Sequence, residues 1–302
     1  MTNIEILGVK VSKVGYKQSL FEIDQMLKDQ KKHQIVTTNS EFILNAQGNK
    51  EFLNALNSAD LSIPDGFGVL YAAKYLRDVN ELKRGFLFPV KSFLLGINIG
   101  ILGFLNPSSL DVLNERVTGT DLMLKIFDFY REKGISVYLV GTSYQTKVES
   151  ARNALSLLQE RFPLIKFVGS CSGRYQKEDG SFNFVPIQDV INKIDSDIKV
   201  SGLKSVDFCF VAFGQVKQEL WIKENIRRLP FKVMMGVGGA FDFITGRRKR
   251  APKFLQERGL ELFFRPFSEL SNGKLAFERL GRVLSAFPYF PLLVYFRSLM
   301  KK

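Results

Sequence analysis

Histidine, cysteine and tryptophan are nearly absent from this 302-residue chain, which holds one His, two Cys and one Trp. A single imidazole excludes a histidine-built metal cluster and any catalytic scheme that needs two of them. The thiols Cys171 and Cys209 lie far apart, and Cys209 sits inside the apolar run VDFCFVAF, where a buried free thiol is the ordinary reading. No disulfide is expected, and a reducing compartment fits. His33 follows Lys31 and Lys32 at a helix-to-strand junction and reads as a solvated surface residue. No charged-then-apolar leader opens the sequence, so a cleaved signal peptide is not expected.

Acidic residues are the other shortage. Against 43 Lys and Arg there are 30 Asp and Glu, a formal net charge of +13. The excess is concentrated: residues 243–302 hold 13 basic and 4 acidic side chains. Such a surface attracts an anionic partner, either a bilayer or a nucleic acid. The 28 phenylalanines favour the bilayer, because Phe and Leu interleaved with Lys and Arg suit a water–lipid interface better than a phosphate groove.

What is present in quantity is a repeating strand–turn–helix unit. IEILGVKVS alternates and should form an opening hairpin, and QSLFEIDQMLKD then carries apolar residues at helical spacing. QIVTT, DLSIPD, SVYLVG, VDFCFVAFG and KVMMGVG each read as a strand, most of them running into a helix, and KFVGS adds another strand. This alternation predicts an α/β fold, a Rossmann-like, mainly parallel sheet with helices on both faces. The catalytic domain is expected over 1–245, with an apolar insertion at 80–108 and a basic, aromatic, membrane-associating helical appendage over 246–302. Within the insertion, residues 86–105 are almost wholly apolar and near the ~20 residues of a membrane span. Pro89, Gly96, Gly100, Gly103 and Lys91 weaken a straight span, so a re-entrant or interfacial hairpin is expected ahead of a spanning helix or a core element.

Polar and small residues gather at the strand ends, where ligands bind in open α/β sheets. VTTNSEF supplies Thr37, Thr38 and Asn39, and SIPDGFG supplies Asp65 and Gly66, a carboxylate placed to act as a base or a sugar-hydroxyl ligand. RVTGTDL opens a helix with Gly119 and Asp121 behind Arg116, which suits an anion site or a helix-start carboxylate. Gly141 and Thr142 end another strand in a turn small enough for close ligand approach. FGQVKQELW carries Lys217 and Gln218 in the first turn of its helix, and GVGGAFDF brings Gly238, Gly239 and Asp242 to the same edge. Several such turns on one edge describe a nucleotide-sugar-sized cleft.

In order, TTNSEF, IPDGFGV, ERVTGTDL, YLVGTS, FGQVKQELWI and GVGGAFDFITGRRKRAPKFLQERGLELFFR resemble the motifs of the WecG/TagA/CpsF glycosyltransferase family, from about residue 4 to residue 265. The resemblance implies an inverting, metal-independent transfer of an N-acetylmannosamine-type sugar. The donor would be a UDP-sugar and the acceptor a polyprenyl-diphosphate-linked N-acetylglucosamine, in cell-surface polysaccharide or teichoic-acid-type synthesis. Work of this kind belongs at the cytoplasmic face of the cell membrane, peripheral or re-entrant, with no cofactor. By motif, Asp65 would be the base, and Thr37 and Asn39 would contact the sugar or acceptor. Arg116 and Gln218 would line the pocket, Asp242 would lie near the uridine, and Arg265 would reach the diphosphate. The remaining candidates for substrate contact are Thr38, Gly66, Gly119, Asp121, Gly141, Thr142, Lys217, Gly238, Gly239 and Arg250.

Three departures stand out. The family's PKQE is Val216-Lys217-Gln218-Glu219 here, the Asp65-to-Arg116 spacing is lengthened by the apolar stretch, and Lys274, Arg279 and Arg282 fall outside the resemblance. Asp195-Ser196-Asp197 has the spacing some glycosyltransferases use for a cation, but it ends a polar helical segment and reads as solvated. Two other readings stay open: a basic nucleic-acid-binding α/β protein with salt-sensitive binding, and an inactive membrane scaffold of the same fold.

Overall fold

A computed structural model describes residues 2–141, 150–176, 182–259, 261, 263–264 and 280–300. The chain opens with the expected hairpin, β1 (Asn3–Ile6) and β2 (Val9–Ser12), turned by Leu7 and Gly8, both at positive φ. After α1 (Tyr16–Lys28) come β3 (His33–Thr38), α2 (Ser40–Gly48), α3 (Lys50–Asn57), β4 (Leu61–Pro64) and α4 (Phe67–Val79). The apolar α5 (Phe88–Leu105) follows, then α6 (Gly119–Phe129), β5 (Ser136–Gly141), α7 (Ser150–Arg161) and β6 (Lys166–Cys171). A small antiparallel pair, β7 (Arg174–Gln176) and β8 (Phe182–Phe184), leads to α8 (Ile187–Ser201), β9 (Val206–Ala212), α9 (Lys217–Asn225) and β10 (Phe231–Gly236). Short helices α10 (Ala240–Ile244) and α11 (Lys253–Glu257) precede the C-terminal helix, Leu280–Met300.

β3, β4, β5, β6, β9 and β10 form one six-stranded sheet in the order β4-β3-β10-β9-β5-β6, parallel at every pairing. Both faces are covered, as an all-parallel sheet requires, and successive strand residues supply opposite layers. Ile35, Val137, Leu139, Phe208, Phe210, Val233 and Met235 enter a core beneath α1, α6 and α7. Tyr138, Val140, Cys209, Val211 and Met234 enter a second core beneath α8 and α9, while Val36 joins a third under α2–α5. Cys209 is a buried free thiol.

Two side chains read as solvated are not. His33 begins β3 opposite Val233 and is 6 % exposed, with Nε2 at 2.9 Å from Asp29 and Nδ1 at 3.2 Å from Asp60. Carboxylates from two other segments enclose the ring, a partnership the local run of lysines does not announce. Asp197 lies within α8 rather than at its end, accepting a hydrogen bond from buried Tyr138 at 2.7 Å and pairing with Lys193.

The apolar stretch is one continuous helix rather than a re-entrant hairpin. Pro89 sits in its first turn, where a missing N–H costs nothing. Gly96, Gly100 and Gly103 recur at helical spacing on the face turned to the protein. A Cβ at Gly96 would lie 2.9 Å from the Tyr71 hydroxyl, and one at Gly103 would lie 2.8 Å from Leu110, so the glycines permit close docking on the elements beside α5. The other faces stay exposed, Leu94, Ile101 and Leu105 among them. The C-terminal helix closes this layer. Phe290 and Val294 are fully buried against α4, and the Tyr75 hydroxyl meets Ser298 Oγ at 3.0 Å.

Candidate active site

A cleft of about 700 Å³ runs along the C-terminal ends of β4, β3, β10 and β9. Thr37, Asn39, Asp65, Gly119, Lys217, Gln218, Gly238, Gly239 and Arg250 line it, joining five of the stretches singled out in the sequence. Asp65 follows β4 directly, and its backbone N–H donates to the Thr38 carbonyl at 2.8 Å. Gly66 then caps α4 with φ +114° and ψ 156°, a conformation open essentially to glycine alone, which turns the chain away and leaves Asp65 at the cleft. Asn39 caps α2 by accepting from the Phe42 N–H at 3.0 Å, so its Oδ1 is committed and its amide is the donor it can offer a ligand.

The helix α6 is anchored from three sides. The Thr118 N–H donates to the Tyr16 hydroxyl at 3.1 Å, and the Thr118 hydroxyl donates to Asp121 at 2.7 Å. Arg250 donates to both Asp121 oxygens, with Glu261 at 3.8 Å on its other side. Burial pushes the Asp121 carboxyl up, but the hydrogen bonds from Arg250 and Thr118 outweigh it and hold the group below its ordinary value. Asp121 therefore fixes Arg250 beside the cleft instead of lining the cleft itself.

Gln218 is a latch. Its Oε1 accepts from the Gly238 N–H at 3.0 Å and its Nε2 donates to Glu219 Oε1 at 2.6 Å, tying the turn after β10 to the first turn of α9. Glu219 is fully buried, and burial pushes its carboxyl up to about 8 against the opposing hydrogen bond from Gln218. Val216 enters this helix at φ +69°, ψ −54°.

Other expectations are corrected. Arg116 is partly buried and spends its guanidinium on the Gln256 carbonyl of α11, bracing that segment rather than lining the cleft. Thr38 faces the opposite side of β3, hydrogen-bonded to Ser62 at 2.7 Å, because neighbouring strand residues point to opposite faces. Gly141 packs against β9, where a Cβ would come within 2.8 Å of Ala212. Asp242 stands behind the cleft wall, 3.9 Å from Arg248. Thr142 and Arg265 lie outside the described residues.

The sequence reading missed Arg248, Arg282, Glu41 and Glu261, all of which line the cleft. Arg282 comes from the C-terminal helix and sits 3.6 Å from Glu41 of α2. Arg248 was hidden in RRKR, where four adjacent cations read as one surface patch. Lys217, Arg248, Arg250 and Arg282 thus surround a space at which α2, α4, α6 and α9 all begin. Their N-terminal dipoles add to the cationic field, an arrangement suited to a diphosphate. Among the described residues no cluster of three or more His, Cys, Asp or Glu side chains is placed to hold a metal ion.

The chain is similar to N-acetylglucosaminyldiphosphoundecaprenol N-acetyl-beta-D-mannosaminyltransferase of Staphylococcus aureus strain MW2, at 26% identity over 93% of this chain and 88% of the relative. The protein of the same description from strain MRSA252 is 27% identical over the same shares. The profile of the WecG/TagA/CpsF glycosyl transferases matches residues 4–85 and 108–302, passing over the whole of α5 and continuing through the C-terminal helix, well beyond the residue-265 limit expected from the motifs. With so much of its length matched, the chain belongs to the WecG/TagA/CpsF family and is a glycosyltransferase.

Proposed function

We propose that this enzyme moves an N-acetylmannosamine-type sugar from a UDP donor to N-acetylglucosamine carried on a polyprenyl diphosphate, with inversion, for a cell-surface polysaccharide or teichoic-acid-type polymer. One observation carries the reading: Asp65 shares a cleft with Lys217, Arg248, Arg250 and Arg282, and that cleft opens in a chain matched to these transferases over most of its length. In a direct displacement the acceptor hydroxyl oxygen bonds to the anomeric carbon as the bond from that carbon to the UDP phosphate oxygen breaks. The hydroxyl proton passes to Asp65, and the departing diphosphate gains negative charge. The basic side chains and helix N-termini stabilise that charge where it develops. Thr37 and the Asn39 amide are placed to orient a sugar, while Gln218 holds the glycine turn, Gly238 and Gly239, against which the nucleotide would lie. The protein works on the cytoplasmic face of the membrane, held there by its apolar helices and by the basic segment from residue 246.

The test is transfer from UDP-N-acetylmannosamine to a short-chain lipid-diphosphate-N-acetylglucosamine. Asp65→Asn keeps the shape and removes the base, so turnover should fall by about 10²–10⁴-fold while UDP still binds by calorimetry. Near-normal turnover in that variant would assign Asp65 to structure and sink the mechanism.

A further inference from the structure

Beside the polar cleft lies a second cavity of a different kind, about 680 Å³, between α4, α5 and the C-terminal helix. Its walls include Phe67, Tyr71, Gly100, Phe104, Phe287 and Tyr295. This volume falls within the ~300–1,000 Å³ of ligand-sized sites. The walls are held from both sides: Phe67 stacks on Phe287 with ring centres 6.0 Å apart, and Phe93 meets Tyr295 edge-on at 5.6 Å. The cavity begins at Phe67 and Gly68, the residues that follow Asp65 and Gly66 into α4. Its outer rim is formed by α5 and the C-terminal helix, the two helices that are long and apolar enough to cross a membrane and that keep most of their surface exposed.

We propose that this groove is the seat of the isoprenoid chain of the lipid-linked acceptor, with α5 as its outer wall. The inference rests on the acceptor class proposed above and deepens it. Continuity chooses the occupant. A sugar whose hydroxyl meets Asp65 and whose diphosphate lies among the cleft cations must continue into a chain, and the apolar groove opens within three residues of Asp65. Most of that outer wall belongs to this chain rather than to the family pattern, because the family match leaves out residues 86–107. The groove therefore gives this enzyme a selectivity for the lipid portion that the cleft alone cannot supply. Bulk apolar partition into a bilayer also favours longer chains, but only a shaped groove makes that preference depend on a single wall residue of the protein.

Gly100 provides the test. A Cβ there would meet only Tyr71, at 3.9 Å, so a larger side chain enters the groove without breaking the α4–α5 contact. Replacing a helical glycine also favours the helix, so Gly100→Leu should fold. In mixed micelles, Gly100→Leu should raise KM at least ten-fold for an acceptor with a long polyprenyl chain. It should leave KM within two-fold for an acceptor with one isoprene unit. Equal effects on both acceptors, or no effect on either, overturn the groove. A second arm needs no turnover. A diazirine-bearing geranylgeranyl diphosphate should crosslink to residues 96–104 and 286–295 in the wild-type protein and lose that labelling in Gly100→Leu. Labelling by a diazirine phospholipid that the isoprenoid fails to displace overturns the assignment. If the isoprenoid labels the groove and UDP binds, yet no sugar is transferred, the groove stands and the proposed reaction fails.

Discussion

Val216 holds a backbone conformation that few side chains tolerate, φ +69° at a β-branched residue lining the cleft. Such a conformation costs about 1–3 kcal/mol, and proline, which the related motif carries at this position, cannot adopt it because its ring fixes φ near −65°. Val216→Gly should therefore leave stability unchanged or raise it by about 1 kcal/mol, whereas Val216→Pro should lower it by roughly 3 kcal/mol or more. Urea unfolding of the two variants checks both signs. Burial holds the carboxyl of Glu219, three residues further on, up at about 8 against an ordinary 4.5. The folded state thus keeps a proton that the unfolded state releases. Its cost is nil below about pH 4.5, grows as pH climbs toward 8, and is complete above that, at roughly 1.4 kcal/mol per pH unit. Melting temperatures from pH 5 to 9 should fall for the wild type and fall less for Glu219→Gln; parallel curves would remove Glu219 as the cause. Neither property could be read from the chain. The sequence displays strand-end residues such as Asp65 and Asn39 because an apolar run stops at them. It does not reveal that Asp60 closes around His33 from another segment, that Tyr138 reaches Asp197, or that Arg248 turns out of a basic run into the cleft, since each depends on groups distant along the chain.

The two apolar helices were legible as unusual but not as a pair. Length and hydropathy marked residues 86–105, yet two of the glycines that argued for a broken hairpin, Gly96 and Gly103, form the docking face of an intact helix. Only the position of Tyr71 and Leu110 decides between those meanings. The C-terminal helix likewise belongs to the catalytic layer, with Phe290 and Val294 buried and Arg282 at the cleft. Removing it would expose side chains each worth about 1.5–3 kcal/mol of burial. Truncation after residue 265 should consequently lower the unfolding midpoint as well as release the protein from lipid, which denaturant melts of the truncated chain will register. Changing exposed residues separates the two effects. Leu94, Ile101 and Leu105 lie outside the groove, and their joint replacement by serine should weaken flotation with vesicles while leaving the melting curve within a few degrees. Unaltered flotation would transfer the anchoring role to the C-terminal segment.

On the membrane proposed as its working surface, the charge of +13 and the apolar platform would act together. Each basic residue near an anionic surface contributes up to about 1 kcal/mol, screened by salt, and the apolar faces add a component that salt does not screen. Binding to phosphatidylglycerol-rich vesicles should therefore weaken as salt rises but level off above zero. Complete loss at 0.5 M salt would make the attachment purely electrostatic. Because Lys217, Arg248, Arg282 and the converging helix N-termini surround the cleft, turnover is expected to persist in excess EDTA; a strict requirement for manganese or magnesium would overturn that charge assignment. The layered order of the chain has a consequence for its own synthesis. The glycine-lined α5 is made early, whereas the helix that completes its layer, Leu280–Met300, is made much later. At the usual ~5–20 residues per second, α5 waits on the order of ten to forty seconds for that partner. During this interval the face of α5 that meets the C-terminal helix is shielded by a bilayer or by nothing, so the yield of soluble, unaggregated enzyme should track the membrane available to the ribosome rather than the temperature of expression alone.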